Sequence, residues 1–177
     1  MIREFVSRLI AKERIPLFES IREGMTGTVL DVGGPTKGFK STISVNVVSG
    51  DVAGDARHLP FSDKSFDYVF SNATLEHIPR EDWTKVATEM KRVARKGGVV
   101  ITPNRNFPIE PHYLVPFAQF FPRCIKRHLP HVWKDCNYNA EIEIPRREEL
   151  LELFPDSEVF SWGRIIPRHL VVKVRYA

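Results

Sequence analysis

Short apolar runs separated by stretches of helical spacing recur along this chain, and that alternation constrains its fold more than any other feature. Thr28 to Val32 is the first run, Thr42 to Val48 the second, Asp51 to Asp55 a short third and Phe66 to Asn72 the fourth. Val99 to Thr102 follows, and Glu158 to Trp162 and His169 to Tyr176 come last. Runs of this length, rich in β-branched residues, suit strands buried on both faces. Between them, Arg80 to about Arg95 carries Trp83, Val86, Ala87, Met90 and Val93 at helical spacing, with Gly97-Gly98 as its stop. Pro145 to Phe154 predicts another helix, and residues 2–23 an amphipathic one that Pro16 breaks or restarts. Strands alternating with helices predict an α/β fold: a doubly wound, mostly parallel sheet with helices on both faces.

A length of 177 residues fits one domain, 1–177, within which 1–24 is an N-terminal helical segment and 103–144 an insertion. Apolar residues make up 42% and charged residues 27%, enough for a packed core. No apolar run approaches the roughly 18–20 residues that span a bilayer. The opening residues scatter charge among apolar side chains, unlike a secretion signal, so the expected compartment is cytoplasmic. Cys124 and Cys136 form no CxxC pair and have no neighbouring His/Cys set at zinc spacing. Two free thiols and no metal are expected. The net charge of +4, with basic residues gathered from Arg123 to Lys134, tolerates an acidic partner without identifying one.

In a doubly wound sheet, ligands bind at the carboxyl ends of the strands, beside the point where strand order reverses. The loops after Val32, Val48, Asp55, Asn72 and Thr102 should therefore line one crevice. Val29-Leu30-Asp31-Val32-Gly33-Gly34 ends a strand in an acid and enters glycines, which lets backbone approach a ligand closely. A helix N-terminus is expected to follow and to present free N–H groups. The carboxylate suits a ligand bearing an ammonium or sulfonium charge. A dinucleotide would want G-x-G-x-x-G and an acid ending the second strand. Pro35 and Asn46 argue against it.

The segment from Gly54 to Ile78 reads GDARHLPFSDKSFDYVFSNATLEHI. It resembles the class I S-adenosylmethionine-dependent methyltransferases, particularly the methyltransferase type 11 branch of small-molecule and quinone enzymes. Arg92-Val93-Ala94-Arg95-Lys96-Gly97-Gly98 matches that family's stretch before the fifth strand. The resemblance covers residues 27 to 104, and the closing strand pair fits the family's reversed final strand. It implies S-adenosylmethionine as cofactor, with Asp31, Gly33 and Gly34 at the methionine end. Asn46 would face the ribose, Asp55 and Ala56 the adenine, and Asn72 and Ala73 the sulfonium. Pro35 and Lys37 replace two of the family's loop glycines, and Asn46 replaces its strand-end acid. Those departures support an alternative, a methyltransferase-fold binding protein that has lost catalysis and tight cofactor binding.

Methyl transfer is an in-line displacement in which positioning supplies most of the rate. A base is needed only where the acceptor must lose a proton, and His77 and His112 follow the fourth and fifth strands on the crevice side. Each also has an ordinary structural reading, His77 at a helix start and His112 in a loop. Glu76 reads as a packing or capping residue. Residues 103–117, PNRNFPIEPHYLVPF, resemble a segment of sugar- and envelope-modifying methyltransferases and would form a lid or acceptor wall. The expected acceptor is a small molecule or one linked to lipid or glycan, with peripheral membrane contact through Phe117, Phe120 and Phe121. With neither an RNA-binding module nor an Asn-Pro-Pro-Tyr motif in the chain, nucleic acid is not the expected substrate.

Overall fold

The computed structural model describes residues 14–47, 50–126, 128–129, 142–163 and 167–176. Val29–Val32 (β1), Ile43–Asn46 (β2), Val52–Ala53 (β3), Phe66–Asn72 (β4) and Ala94–Pro103 (β5) run parallel. Ile109–Glu110 (β6) and Val115–Pro116 (β7) pair as a separate antiparallel hairpin. Ser157–Trp162 (β8) and His169–Arg175 (β9) complete the main sheet, β9 lying antiparallel to both β5 and β8. The order β3-β2-β1-β4-β5-β9-β8 reverses between β1 and β4. The doubly wound, mostly parallel sheet with a reversed end is therefore the fold. Residues 14–23 (α1), Trp83–Val93 (α2), Arg123–Lys126 (α3) and Arg147–Leu153 (α4) are helical.

Alternation along the strands divides the core into two layers. Leu30, Val32, Val69, Val100 and Val172 meet Trp83, Val86 and Met90 of α2 and Leu150 of α4. Val29, Phe70, Val99, Ile101 and Val171 face the other way, toward Leu17 and Phe18 of α1. On that second side Phe39 stacks on Phe70 at 3.6 Å between ring centres, and Phe18 meets both rings edge-on. Such aromatic contacts add about 0.5–1.5 kcal/mol each beyond the area they bury.

Local differences from expectation have physical causes. No helix follows β1. Residues 33–42 cross directly to β2, because Gly33-Gly34-Pro35 and Gly38 leave no uninterrupted stretch for a helix, and Phe39 anchors the loop beneath the sheet instead. The expected free N–H groups of a helix start are thus absent from this crossover. Arg80–Asp82 forms a 3₁₀ turn ahead of α2, which ends at Val93, with Ala94 already extended. Gly97 and Gly98 are not its stop; both lie inside β5. Of the amphipathic segment at 2–23, residues 2–13 lie outside the described residues, and Pro16 sits within α1.

His169, at the start of β9, is pushed down to about 4 from its usual 6.5, first by burial and then by the positive charges of Arg14 and Arg168. The unfolded chain takes up this proton near 6.5, whereas the folded chain resists it to about 4. Stability is therefore lost as pH falls through that window, by up to about 1.4 kcal/mol per pH unit. Urea unfolding at pH 7 and pH 5 should show a larger loss in the native protein than in His169→Gln. Parallel losses would contradict the assignment.

Candidate functional site

At the strand-order reversal a cavity of about 310 Å³ opens beyond the carboxyl ends of β1, β2 and β4. Gly33 follows β1, Asn46 ends β2, Asp55 and Ala56 follow β3, and Thr74 and His77 follow β4. Its size falls in the range usual for small-molecule sites. Of the loops expected to line one crevice, those after β1, β2, β3 and β4 do so, and the loop after Thr102 contributes no residue to this cavity. Val48 and Ser49 lie outside the described residues. A larger cavity, about 590 Å³, lies over the α1 face of β5, β8 and β9 among Leu17, Met25, Gly98, Phe160 and Trp162. The topological rule selects the smaller one.

The glycine loop is held by the chain's own polar groups. Asp31 is fully buried, and its carboxylate accepts hydrogen bonds from the Thr36 amide at 2.7 Å and the Thr36 hydroxyl at 3.1 Å. Burial pushes this carboxyl up to about 6, against the lowering effect of those bonds. Gly33 N–H donates to Val45 O at 2.8 Å, and the Asn46 amide donates to Gly33 O at 2.8 Å. The polar side chain at the end of β2 thus braces the loop. Asp31 and Gly34 pack against each other behind it, where a Cβ on Gly34 would lie 2.2 Å from the Asp31 carboxylate.

Asp55 stands at the cavity wall, gripped by Arg57. Both carboxylate oxygens accept from the guanidinium, the shortest contact being 2.6 Å, and the Arg57 amide adds a bond of 2.8 Å. The bond from the Arg57 side chain chiefly holds the carboxyl below its usual range. Arg57 reaches on to Asp82 at 3.0 Å, tying the β3 loop to the start of α2. Asp55 is therefore an ionised and positioned acceptor.

At the end of β4, the Asn72 Oδ1 is buried with no hydrogen-bond partner among the described residues, as is Thr102 Oγ1 near the end of neighbouring β5. Ala73 adopts a left-handed conformation at φ 53°, with its amide donating to Ile101 O. Non-glycine residues in that region concentrate at functional sites. The next turn, Leu75–His77, is fixed by Trp83, whose indole N–H lies 3.0 Å from both Leu75 O and Ile78 O. Helix α2 thereby positions Glu76 and His77.

His112 comes to this turn from the β6–β7 hairpin. Its Nδ1 lies 2.6 Å from Glu110 Oε1, and the other Glu110 oxygen accepts from the His112 and Tyr113 amides at 2.7 and 2.8 Å. The His77 and His112 rings meet edge-on at 5.0 Å. Glu76 is fully buried; it caps no helix, and neither carboxylate oxygen has a hydrogen-bond partner among the described residues. Burial pushes it up to about 7, with the nearby His112 acting in the opposite direction.

The structure thus brings Gly33, Asn46, Asp55, Ala56 and His77 to the cavity, and sets His112 against His77. Asp31, Gly34, Asn72 and Ala73 border the same strand ends without lining that cavity. The sequence reading passed over Glu110, Arg57 and Thr74. Only the spacing Glu110-x-His112 offered a signal for the first, since a carboxylate two residues from a histidine can orient its ring.

Residues 36–102 match the family model of a methyltransferase domain. Demethylmenaquinone methyltransferase of Staphylococcus aureus (strain MRSA252) is 30% identical over 118 residues, covering 62% of this chain and 47% of that protein. The chain spans about half the length of the curated relatives it matches. Magnesium protoporphyrin IX methyltransferase from Synechocystis, solved with S-adenosylhomocysteine, superposes with a TM-score of 0.62 at 9% identity over 98% of this chain and 88% of its own. A Burkholderia thailandensis 1,6-didemethyltoxoflavin-N1-methyltransferase, also solved with that product, gives 0.57 at 16% identity over 99% and 87%. At such identities the likeness is one of fold. Strand order, the position of the crevice and the matched segment 36–102 show the methyltransferase fold and make this chain similar to the class I S-adenosylmethionine-dependent methyltransferases.

Proposed function

We propose that the domain transfers a methyl group from S-adenosylmethionine to a small, largely apolar acceptor of the quinol or hydroxyaryl type, in the cytoplasm. The observation that carries the reading is the cavity at the β1/β4 reversal, with an ionised Asp55 on its wall and the close Gly33 backbone at its floor. A Cβ at Gly33 would collide with Thr74, so the space is kept by the glycine, and the buried Asn72 Oδ1 nearby has no hydrogen-bond partner among the described residues. These residues fit the cofactor. When bound, it supplies an electrophilic methyl group on a sulfonium. Asp55 would accept from the adenine amino group beside the Ala56 backbone, and Asn46 would face the ribose while bracing Gly33. Asp31 and Gly34 would support the methionine end from behind the loop, and Asn72 and Ala73 would border the sulfonium.

His77 and His112 are the acceptor-side residues of this reading. Glu110 fixes the His112 ring through Nδ1, and His77 stands at the cavity wall, where an imidazole can take an acceptor proton. The 103–144 insertion would form the acceptor wall; residues 127 and 130–141 lie outside the described residues. Ile109, Phe117, Phe120 and Ile125 expose large apolar surfaces there, and Arg105 packs over Phe120. That pattern favours a lipid-linked acceptor met at a membrane surface. No described helix is long and apolar enough to cross a membrane.

Tritiated S-adenosylmethionine incubated with short-chain quinols and phenols tests the activity. Label should enter an organic-extractable acceptor, and His77→Ala should reduce the rate on the order of 10²-fold. No transfer to any member of the panel would contradict the proposed acceptor class. Asp55→Ala should weaken binding of S-adenosylhomocysteine at least tenfold, while its half-exposed ion pair with Arg57 leaves stability within about 1 kcal/mol. An unchanged affinity by calorimetry would remove Asp55 from the cofactor site.

A further inference from the structure

We infer that Glu76, His77 and His112 form a binding site for one divalent transition-metal ion, with Glu110 orienting His112 from behind. One ligand atom from each of the three lies within 4.8 Å of the other two. Bonds of about 2.0–2.2 Å to imidazole nitrogen and carboxylate oxygen would set tetrahedral ligand atoms roughly 3.3 Å apart. A modest inward rotation of the side chains completes the set.

An independent observation points to a ligand here. The Glu76 carboxylate is wholly buried, yet neither oxygen receives a hydrogen bond from a described residue. A buried carboxylate without compensation costs several kcal/mol, whether it stays ionised or takes up a proton that must itself be donated. Glu110 does not relieve it, because it is a second acid engaged with His112 and two amides. A cation supplies the compensation.

The second layer also has the arrangement that metal sites use. Glu110 holds His112 through Nδ1, so an ion would be met by Nε2. Two imidazoles and one carboxylate suit zinc, iron(II), cobalt(II) or manganese(II) better than magnesium or calcium, which prefer all-oxygen shells. His77 also lines the cavity, so an ion held there would lie beside the space given to the cofactor, where donor and acceptor must meet. An oxygen-bearing acceptor is the chemistry such an ion would polarise. That use rests on the methyl-transfer reading, whereas the site itself does not. With the ion bound, the imidazoles would be ligands rather than bases, the ion would lower the pKa of the acceptor oxygen, and its proton would pass to solvent.

The test is equilibrium dialysis of the chelator-treated full chain against Zn²⁺, Co²⁺ or Mn²⁺, read by metal content and by the visible spectrum of the cobalt form. One equivalent per chain with micromolar or tighter affinity is expected, with cobalt bands of a nitrogen- and oxygen-ligated ion. Glu76→Gln and His112→Gln should each weaken binding at least tenfold, and Glu110→Gln by about 10–100-fold. His128→Gln should leave it unchanged. Metal-free Glu76→Gln should melt no lower than the metal-free native chain, and zinc should raise the midpoint of the native chain alone. No stoichiometric binding at millimolar ion, or equal binding by Glu76→Gln and the native chain, would overturn the site. S-adenosylhomocysteine binding by Glu76→Gln should remain native, so failure of the metal site and of the cofactor reading can be told apart.

Discussion

Gly97→Ala should cost at least about 3 kcal/mol of stability, a large share of the roughly 5–15 kcal/mol that a domain possesses. Gly97 sits at φ +154° between β4 and β9, and a Cβ there would lie 2.2 Å from Val174 O. The obstacle is backbone, so no rotamer change relieves it. Strand β9 would have to move off β5, breaking the ladder that runs from Gly97 opposite Arg175 to Pro103 opposite His169. Gly24→Ala is the matched control, since the nearest atom to its Cβ is Ile21 O at 3.5 Å. It should change stability by no more than about 0.5 kcal/mol. Equal urea midpoints for the two variants would contradict this account of the sheet.

Gly33→Ala should leave the sheet folded and remove cofactor binding. Its φ is +88°, and a Cβ there would lie 2.0 Å from the Thr74 hydroxyl and 2.9 Å from the Thr74 Cβ. The left-handed backbone adds about 1–2 kcal/mol for a residue with a side chain. Thr74 must give way, and its hydroxyl then loses Val32 O, which it holds at 3.1 Å. Both residues line the cavity, so S-adenosylhomocysteine affinity should fall well beyond tenfold while circular dichroism stays native. Adding Thr74→Ala removes the hydroxyl and methyl contacts but leaves the Cβ at 2.9 Å and the strain, and should restore part of the affinity. If Gly33→Ala binds as tightly as the native chain, the loop after β1 does not face the cofactor.

Much of this architecture was legible because strand burial is a local property. Phe66 to Asn72 is both the predicted and the observed β4, since its apolar residues feed both core layers and leave no alternative register. The crossover after β1 was not legible in the same way. Its missing helix is offset by Phe39 stacking on Phe70, a contact 31 positions apart in sequence. Gly97-Gly98 looked like a helix stop because glycine serves both at helix ends and where backbones approach closely. Only the neighbouring strands decide between the two.

The candidate site divides along the same line. Asp55 and Gly33 belong to contiguous motifs, and both reach the cavity. His77 and His112 were singled out for their places after β4 and β5, but their edge-on contact depends on the hairpin Ile109–Pro116 folding back. Glu76 read as a packing or capping residue because its carboxylate's lack of a hydrogen-bond partner among the described residues is visible only once Glu110 and His112 are in place. The expectation of no metal came from cysteine spacing, and an acid–imidazole grouping joined across 36 positions leaves no such spacing to read.

The central claim is that the crevice at the β1/β4 reversal holds S-adenosylmethionine despite Pro35 and Asn46. Isothermal titration of the full chain with S-adenosylhomocysteine tests it most directly. One site of micromolar affinity, weakened at least tenfold by Asp55→Ala, is the predicted result. No heat of binding up to millimolar product, from a chain with native circular dichroism, would contradict it and leave a methyltransferase fold without its cofactor.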